Sequence, residues 1–463
     1  MSWRRWGAVC GLTVGMGLGV LQGMAEPVSF SREVAPILDR SCVACHQPSK
    51  LKGKLDLSSF SALSAGGKHG AAVTARKPDT SRLLTQVRGP KPEMPPEGKP
   101  LTEPEVAVIE RWIAEGAVDD SASATAANRE PIRYEDRPVI SSLAWSPDGT
   151  RLAVPGNGEV FLFDARTWEL ERRLRGEGSR VESVQFSPDG NRLAVAAGTP
   201  SRFGEIQIWD IKSGALERAV RVGPDSVFGL AWSPDGMRVA VGGADRTLRM
   251  IEVSSGRELI RFDQHTDWVL GACFTGDGSK LISAGRDRSM KLIESGSGRL
   301  IDEICRPNEP LLAALVRPGT ELVAAVGGEY RIRVYRAKPR SDTQDANADP
   351  NYVREYDGFD GGMTSAAYSR DGMWIATAGA STGEVRVHEA ENGSRKATLR
   401  GHDGVVFGLA FNPDGTWLAT AGYEGLVRVY DWKREVLLTV LSPVPPPIAS
   451  KEGPSGEARK HQE

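Results

Sequence analysis

The sequence predicts a multidomain protein in which a small all-α domain is followed by an all-β propeller of seven blades. Three observations lead to this prediction. A phrase of the type S-P-D-G recurs seven times after Val139. The residues before about 120 instead show the apolar spacing of amphipathic helices. Between the two stretches, "SASATAANRE" at 121–130 is small and polar, as linkers are.

The length and the charge balance of the chain agree with this organisation. A chain of 463 residues exceeds one ordinary core and predicts two or three domains. The 58 basic residues are matched by 60 acidic ones, and 25 % of all residues are charged, which is typical of a soluble globular protein. Because the positive excess of nucleic-acid binders is missing, nucleic acid is not an expected partner.

The first 25 residues have the pattern of a cleaved export signal. Arg4 and Arg5 precede the apolar run "WGAVCGLTVGMGLGVLQG", and the segment closes on small residues around Ala25. A retained membrane anchor is the alternative, for which the apolar run is short. No later run is apolar enough to span a bilayer. We therefore expect a periplasmic or otherwise exported protein that is not transmembrane once processed.

Two amphipathic helices are expected in the N-terminal domain. The stretch "SREVAPILDRSC" predicts a helix at 31–40 that follows a serine cap and leads into a cysteine pair. The stretch "LTEPEVAVIERWIAEGA" predicts a second helix at 103–115, which opens on the capping box Thr102-x-x-Glu105. Gly116 is expected to end it. The sequence between the two helices is rich in loops.

The repeated phrase predicts the propeller. Seven copies with a spacing of 41 to 53 residues are marked by Gly149, Gly190, Gly236, Gly278, Gly319, Gly372 and Gly415. A repeat near forty residues with several short strands is typical of a propeller blade. The longest spacing contains the polar stretch at 336–351, which we expect to be an exposed loop. Either "PIRYE" at 131–135 or "VLLTVL" at 436–441 supplies the last outer strand.

These features divide the chain into five segments. We expect a signal peptide at 1–25, a helical domain at 26–120, a linker at 121–131 and the propeller at 132–442. The remaining residues, 443–463, are rich in proline and then in charge, which predicts a disordered tail.

The pattern C-x-x-C-H at Cys42, Cys45 and His46 is compatible with three kinds of chemistry. A zinc site needs further thiolates or imidazoles, and the domain offers only His69. A redox-active pair of the thioredoxin type needs a preceding strand, whereas a helix is expected here. Covalent haem attachment needs two thiols beside an imidazole, and the spacing supplies them. The sequence therefore predicts one covalently attached haem c.

A haem held by His46 requires a second axial ligand. Met94, in "PKPEMPPEGK", is the single methionine between Met24 and Met237, and prolines restrict its loop. It is the favoured ligand over its alternative role of filling a gap in the core. His69 in "GGKHG" is the rival ligand, and a bis-histidine iron would have the lower potential.

Residues 30–118 resemble the c-type cytochrome domain of planctomycete-type bacteria in the elements "CVACH", "KLKGKLDLSSFSAL", "KPDTSRLLTQV" and "MPPEGKPLTEPEVAVIERWIAEGA". The resemblance implies that Cys42 and Cys45 carry the haem thioethers. It also implies that His46 is the proximal and Met94 the distal ligand of the iron.

The repeats resemble the WD-repeat family over about 310 residues. Trp209-Asp210 and Tyr430-Asp431 stand at the position of its tryptophan-aspartate pair, and Gly401-His402 at that of its glycine-histidine pair. Other copies depart from the pattern, so the shared hydrogen-bond network inside each blade is not expected in most blades. The resemblance implies a surface that docks other proteins.

Together these features predict an exported carrier of electrons that has a redox protein as its partner and a propeller for docking. A redox enzyme whose propeller binds a substrate is the alternative, although the repeats show no coherent catalytic set of residues. A scaffold with a vestigial haem is the third possibility. Cys273 and Cys305 are interpreted as buried small hydrophobic residues, with a disulfide as the alternative.

Overall fold

The computed structural model describes residues 27–43, 45–46, 51–57, 60–96, 99–119, 132–339 and 349–444. The predicted signal peptide and linker lie outside the described residues, as do the greater parts of the polar insertion and the tail. None of the helices in these ranges combines the length and the apolar character that a bilayer span requires.

The described part of the N-terminal segment is helical, but in short pieces. Its α-helices are α1 (Ala35–Ser41), α2 (Phe60–Ala65), α3 (Arg82–Val87) and α4 (Glu103–Ala114). A π-helical turn at Phe30–Val34 and 3-10 turns at Lys52–Lys54 and Pro78–Thr80 complete the helical elements. The isolated bridge between Gly67 and Gly70 is the one β-pairing among the described residues up to 119.

The predicted caps of α4 are confirmed. The Glu105 carboxylate accepts a hydrogen bond of 2.7 Å from the Thr102 N–H, as a capping box requires. At the other end the Ala117 N–H donates to the Trp112 carbonyl at 2.9 Å, across Gly116 with its φ of +118°. Glycine accepts this positive φ without strain, so the helix ends where the sequence predicts.

The predicted serine cap of the first helix is wrong. The chain first makes the π-helical turn at Phe30–Val34, and α1 follows with Val34 at its N-cap and no side-chain cap. The Ser29 carbonyl accepts the N–H groups of Glu33 and Val34 at 3.1 and 3.3 Å. The Glu33 carboxylate in turn accepts the Ser29 N–H at 2.9 Å. Ser31, the serine of the predicted cap, therefore lies inside the helical turn and not at an N-cap.

An aromatic cluster forms the centre of the N-terminal core. The ring of Phe30 lies 5.1 Å from that of Phe60 and 5.3 Å from that of Trp112. Leu38 of α1 and Leu84 of α3 are buried in the same cluster. The turn before α1 is therefore fixed to α2 and α4 by apolar contacts.

The residues from 144 to 441 form the predicted propeller of seven four-stranded antiparallel sheets. The strands of the first four blades are β1 (Ala144–Trp145), β2 (Arg151–Pro155), β3 (Glu159–Asp164) and β4 (Leu170–Arg175); β5 (Arg180–Phe186), β6 (Arg192–Thr199), β7 (Phe203–Asp210) and β8 (Leu216–Gly223); β9 (Val227–Trp232), β10 (Arg238–Gly243), β11 (Leu248–Glu252) and β12 (Glu258–Phe262); and β13 (Val269–Phe274), β14 (Lys280–Gly285), β15 (Met290–Glu294) and β16 (Leu300–Cys305).

The last three blades have the same order. Their strands are β17 (Leu311–Val316), β18 (Leu322–Gly327), β19 (Ile332–Arg336) and β20 (Tyr352–Tyr356); β21 (Met363–Tyr368), β22 (Trp374–Gly379), β23 (Val385–Glu389) and β24 (Arg395–Leu399); and β25 (Val406–Phe411), β26 (Trp417–Gly422), β27 (Val427–Asp431) and β28 (Val436–Leu441). Strands pair in sequence order within each blade, and first strands of neighbouring blades contact each other.

The S-P-D-G phrase forms the turn between the first two strands of a blade. In blade 1 the Ser146 hydroxyl donates to Asp148 Oδ1 at 2.5 Å and accepts the Arg151 N–H at 2.9 Å. Asp148 also accepts the Thr150 N–H at 3.0 Å, and Gly149 has a φ of +72°. The aspartate therefore organises the turn, and the glycine provides its left-handed residue.

The last outer strand is supplied by "VLLTVL", since β28 pairs with β27. The start of the propeller segment lies against blade 1 instead, where the Ile132 carbonyl accepts the Arg173 guanidinium at 3.0 Å. The ring closes by apolar packing of blade 1 on blade 7. Trp145 strengthens this junction, because its indole N–H donates to the Ala410 carbonyl at 3.1 Å.

Cys273 on β13 and Cys305 on β16 are not joined by a disulfide and lie in one apolar cluster. Burial raises the pKa of the Cys273 thiol to about 12. Their predicted role as small hydrophobic residues agrees with this environment.

Candidate functional site

Helix α1 leads directly into the C-x-x-C-H motif. The Cys42 N–H donates to the Leu38 carbonyl at 2.7 Å and so extends the helical bonding beyond Ser41. The N–H groups of Cys45 and His46 both donate to the Cys42 carbonyl at 3.1 Å. These two bonds form a tight backbone turn. The turn holds two thiols and an imidazole within five residues.

The thiol of Cys42 belongs to the N-terminal apolar core, with 8 % of the residue exposed. Burial raises its pKa to about 11, and the charge of the nearby Asp39 carboxylate adds to the rise. Zinc ligands and thioredoxin-type cysteines act as thiolates, which a lowered pKa favours. The environment of Cys42 instead raises the pKa of its thiol, which therefore stays protonated.

One ring nitrogen of His46 has no hydrogen bond to the described part of the chain. Its backbone carbonyl accepts the Leu57 N–H at 2.9 Å. Its Nδ1 atom is buried and has no hydrogen-bond partner among the described residues. Buried polar atoms without a partner are uncommon and call for an explanation, such as a bound group. Two thiols and an imidazole with a buried nitrogen that no described residue binds are groups that suit a covalently held haem.

Met94 packs against the same apolar cluster as Cys42. Its N–H donates to the Gln86 carbonyl at 2.9 Å, which ties the proline-rich loop to α3. Its side chain is half-buried against the N-terminal core. A thioether in this position is available both for apolar packing and for binding to iron.

His69 lies outside the apolar cluster that contains Cys42. It is exposed in the turn between Gly67 and Gly70, whose backbone groups exchange two hydrogen bonds of 3.0 Å. The turn is close-packed, because a Cβ atom on Gly66 would lie 2.5 Å from the Gly70 carbonyl oxygen. The structure thus brings Met94, but not His69, into the apolar cluster that contains Cys42.

Helix α1 also contacts the second blade of the propeller. Asp39 Oδ1 lies 3.5 Å from an Arg221 guanidinium nitrogen, and Arg221 lies 3.3 Å from Glu177 as well. The Arg221 guanidinium stacks over the Phe203 ring at 4.3 Å. Burial raises the pKa of Asp39, whereas Arg221 and Arg202 act to lower it. A cleft of about 620 Å³ lies along this contact between α1 and blade 2.

Asp39 and Arg221 are residues that the sequence analysis missed. Asp39 stands three positions before Cys42, which marks it as close to the motif. No local signal connects it to an arginine 182 positions further on, since that pairing depends on the packing of the two regions.

A buried serine, histidine and aspartate occur together in blade 4. His265 Nδ1 donates to Asp287 Oδ2 at 2.9 Å, and Nε2 accepts the Ser283 hydroxyl at 2.7 Å. Burial acts to raise the pKa of Asp287, but the hydrogen bonds from His265, Ser289 and Thr266 hold this pKa well below its usual range. The connectivity is that of a hydrolase triad, but the His265 side chain is 0 % exposed. A substrate cannot reach it, so the set joins strands within the blade.

Blade 7 has a second set of this kind. His402 Nε2 lies 2.6 Å from Thr420 Oγ1, and Nδ1 contacts the Glu424 carboxylate. The hydrogen-bond networks are therefore present in blades 4 and 7. Among the described residues, no three histidine, cysteine or acidic side chains are placed to share a metal ion.

Comparison with known families agrees with both predicted resemblances. Residues 42–98 match the model of the family described as planctomycete cytochrome C, and this range contains Cys42, Cys45, His46 and Met94. The segments 168–210, 218–252, 256–294 and 393–431 match the model of the WD domain, G-beta repeat. A search of curated proteins finds no match.

Proposed function

We propose that the protein is an exported haem c protein, which carries electrons through a His/Met-ligated iron and docks a redox partner on its propeller. The observation that carries the proposal is the C-x-x-C-H turn, whose His46 has a buried ring nitrogen without a described partner. The match of residues 42–98 to a cytochrome family supports the same cofactor.

Cys42 and Cys45 would hold the haem by thioether bonds, while His46 and Met94 would ligate its iron. The bound haem supplies one-electron redox chemistry. The chain's own residues provide the environment for it. The high pKa of the Cys42 thiol keeps it protonated before attachment, and the apolar cluster around it excludes water. A dry, apolar surrounding raises the potential of a haem iron.

The propeller would provide the docking surface. Its strands form a rigid ring, and the WD-repeat matches suggest contacts with proteins. An aromatic patch on blades 3 and 4 has the composition of an interface centre. The Phe228 and Trp268 rings stack at 5.5 Å, Arg286 lies 4.7 Å from the Trp268 ring, and Trp268 is 39 % exposed. Tryptophan and arginine are enriched at such positions.

The experiment is an optical redox titration of the protein exported from a bacterium that attaches haem c. We expect reversible reduction by one electron, and a weak long-wavelength band of thioether ligation in the ferric form. This band should disappear in Met94→Ala and persist in His69→Ala. The opposite pattern would refute the assignment of Met94, and a protein without redox-active haem would refute the proposed function.

A further inference from the structure

The outermost strand of blade 7 differs from those of the other six blades. The outer strands of blades 1 to 6 read LERRLR, LERAVRVG, ELIRF, LIDEIC, YVREY and RKATL, and each carries at least two charged residues. Strand β28 reads VLLTVL and carries none. Charges on an edge strand hinder the addition of another strand, so this protection is absent only at blade 7.

The side chains of β28 are open to solvent. Val436, Leu437, Leu438 and Val440 are 44 to 49 % exposed. Among the described residues β28 pairs with β27 alone, and its other edge has no strand beside it. A row of apolar side chains next to unpaired backbone groups is a template for β-pairing.

The chain's own tail is poorly suited to cover this edge. The 19 residues after Val444 begin with three prolines and contain Ile448 as their one large apolar residue. Prolines cannot donate to a ladder, and the tail offers no alternating apolar pattern. Pairing with any other outer strand of this chain would bury charges without partners.

We propose that β28 is a self-association surface, on which β28 of a second copy pairs antiparallel about a twofold axis at Leu438, the middle of the exposed stretch 436–440. Such a contact is self-complementary, since each copy offers the same uncharged edge. Two six-residue strands bury less than the roughly 800 Å² per partner of a standard interface, so the dimer should be weak, with a Kd on the order of micromolar.

The test is sedimentation analysis of the full exported protein with its haem, over about 1 to 200 μM. The wild type should change reversibly from monomer to dimer. Leu438→Lys places two like charges opposite each other and should weaken dimerisation at least about 100-fold. Leu170→Lys is the matched control on β4, since Leu170 is 43 % and Leu438 44 % exposed, and it should dimerise like the wild type.

A wild type that stays monomeric over this range would overturn the proposal. A dimer that survives Leu438→Lys, or one that is lost equally in Leu170→Lys, would also overturn it. If Leu438→Lys does not fold, Leu438→Cys replaces it. Mild oxidation should join two Leu438→Cys chains by a disulfide and leave Leu170→Cys without a cross-link, whereas equal cross-linking of the two would contradict the pairing.

Discussion

The N-terminal region and the propeller place their histidines in different surroundings. His265 in blade 4 uses both ring nitrogens in hydrogen bonds of 2.7 and 2.9 Å. His402 in blade 7 also contacts a polar partner on each side. His46 in the C-x-x-C-H turn has a buried Nδ1 without any described partner. The two propeller histidines are therefore satisfied by their own blades, whereas His46 keeps a buried nitrogen that no described residue binds.

His388 in blade 6 is the exception among the propeller's described histidines. Both of its ring nitrogens are buried without described partners, and the ring stacks on Tyr356 at 6.1 Å. Burial lowers its pKa from 6.5 to about 4, so the ring is neutral at pH 7. An open ring nitrogen therefore indicates a ligand site only together with other donors, as at His46.

The largest effect is expected from His46→Ala. This change removes the proposed proximal ligand, so the low-spin spectrum of the exported protein should be lost completely. The urea midpoint of the propeller, followed by tryptophan fluorescence, should stay unchanged. His69→Ala is the control and should alter neither quantity. An unchanged haem spectrum in His46→Ala would contradict the difference between the two regions.

His265→Ala should show the reverse behaviour. It leaves the buried Asp287 carboxylate without its histidine and the Ser283 hydroxyl without its acceptor. We expect the free energy of unfolding to fall by about 3 kcal/mol, with the haem spectrum preserved. Urea unfolding of the propeller measures the first quantity and visible absorption the second. A loss below about 0.5 kcal/mol would mean that this network is not structural.

A smaller effect on stability is expected from the protonation of His388 as the pH falls. Between pH 6.5 and about 4 the unfolded chain binds a proton at this residue and the folded chain does not. The stability of the wild type should therefore decrease as the pH falls through this range, by up to about 3 kcal/mol from His388. His388→Phe keeps the ring on Tyr356 and removes this contribution. Equal slopes of stability against pH in both proteins would refute it.

The smallest effect is a change in the midpoint potential of the haem. We expect it from a substitution at the contact between α1 and blade 2. Arg221→Gln removes one of the two arginine charges, those of Arg221 and Arg202, that oppose the negative charge of Asp39 near the C-x-x-C-H motif. This charge favours the ferric form, so the midpoint potential at pH 8 should fall by an amount on the order of tens of millivolts. Arg218→Gln on the same strand is the control, because Arg218 donates to blade 3 carbonyls. A lower potential in both variants would rule out a specific effect of Arg221.

The features that were predicted correctly from the sequence are local or repeated. The capping box of α4, the glycine after it and the seven turn glycines depend on residues a few positions apart. Because the pattern occurs seven times, it predicts the propeller even though single blades depart from the WD-repeat consensus. The C-x-x-C-H turn is local in the same way, since its backbone bonds lie within five residues.

The features that the sequence missed depend on tertiary packing. The pairing of Asp39 with Arg221 and the burial of His46 Nδ1 have no local signature. The blade networks were underestimated, because the blades use different residues for the same purpose. In blade 2, for example, Gln207 donates to the buried Glu205 at 2.6 Å and accepts the Trp209 indole N–H at 3.0 Å. Side chains of equivalent geometry can replace the consensus without a visible pattern.

The most direct test of the central claim is a haemochrome spectrum of the exported protein after denaturation and removal of free haem. The account predicts one haem per chain, retained through denaturation in the wild type. Haem should be absent from the Cys42→Ser, Cys45→Ser double variant, whose propeller should still unfold at the wild-type urea concentration. A wild-type chain without covalent haem, or a double variant that retains it, would contradict the assignment of this turn.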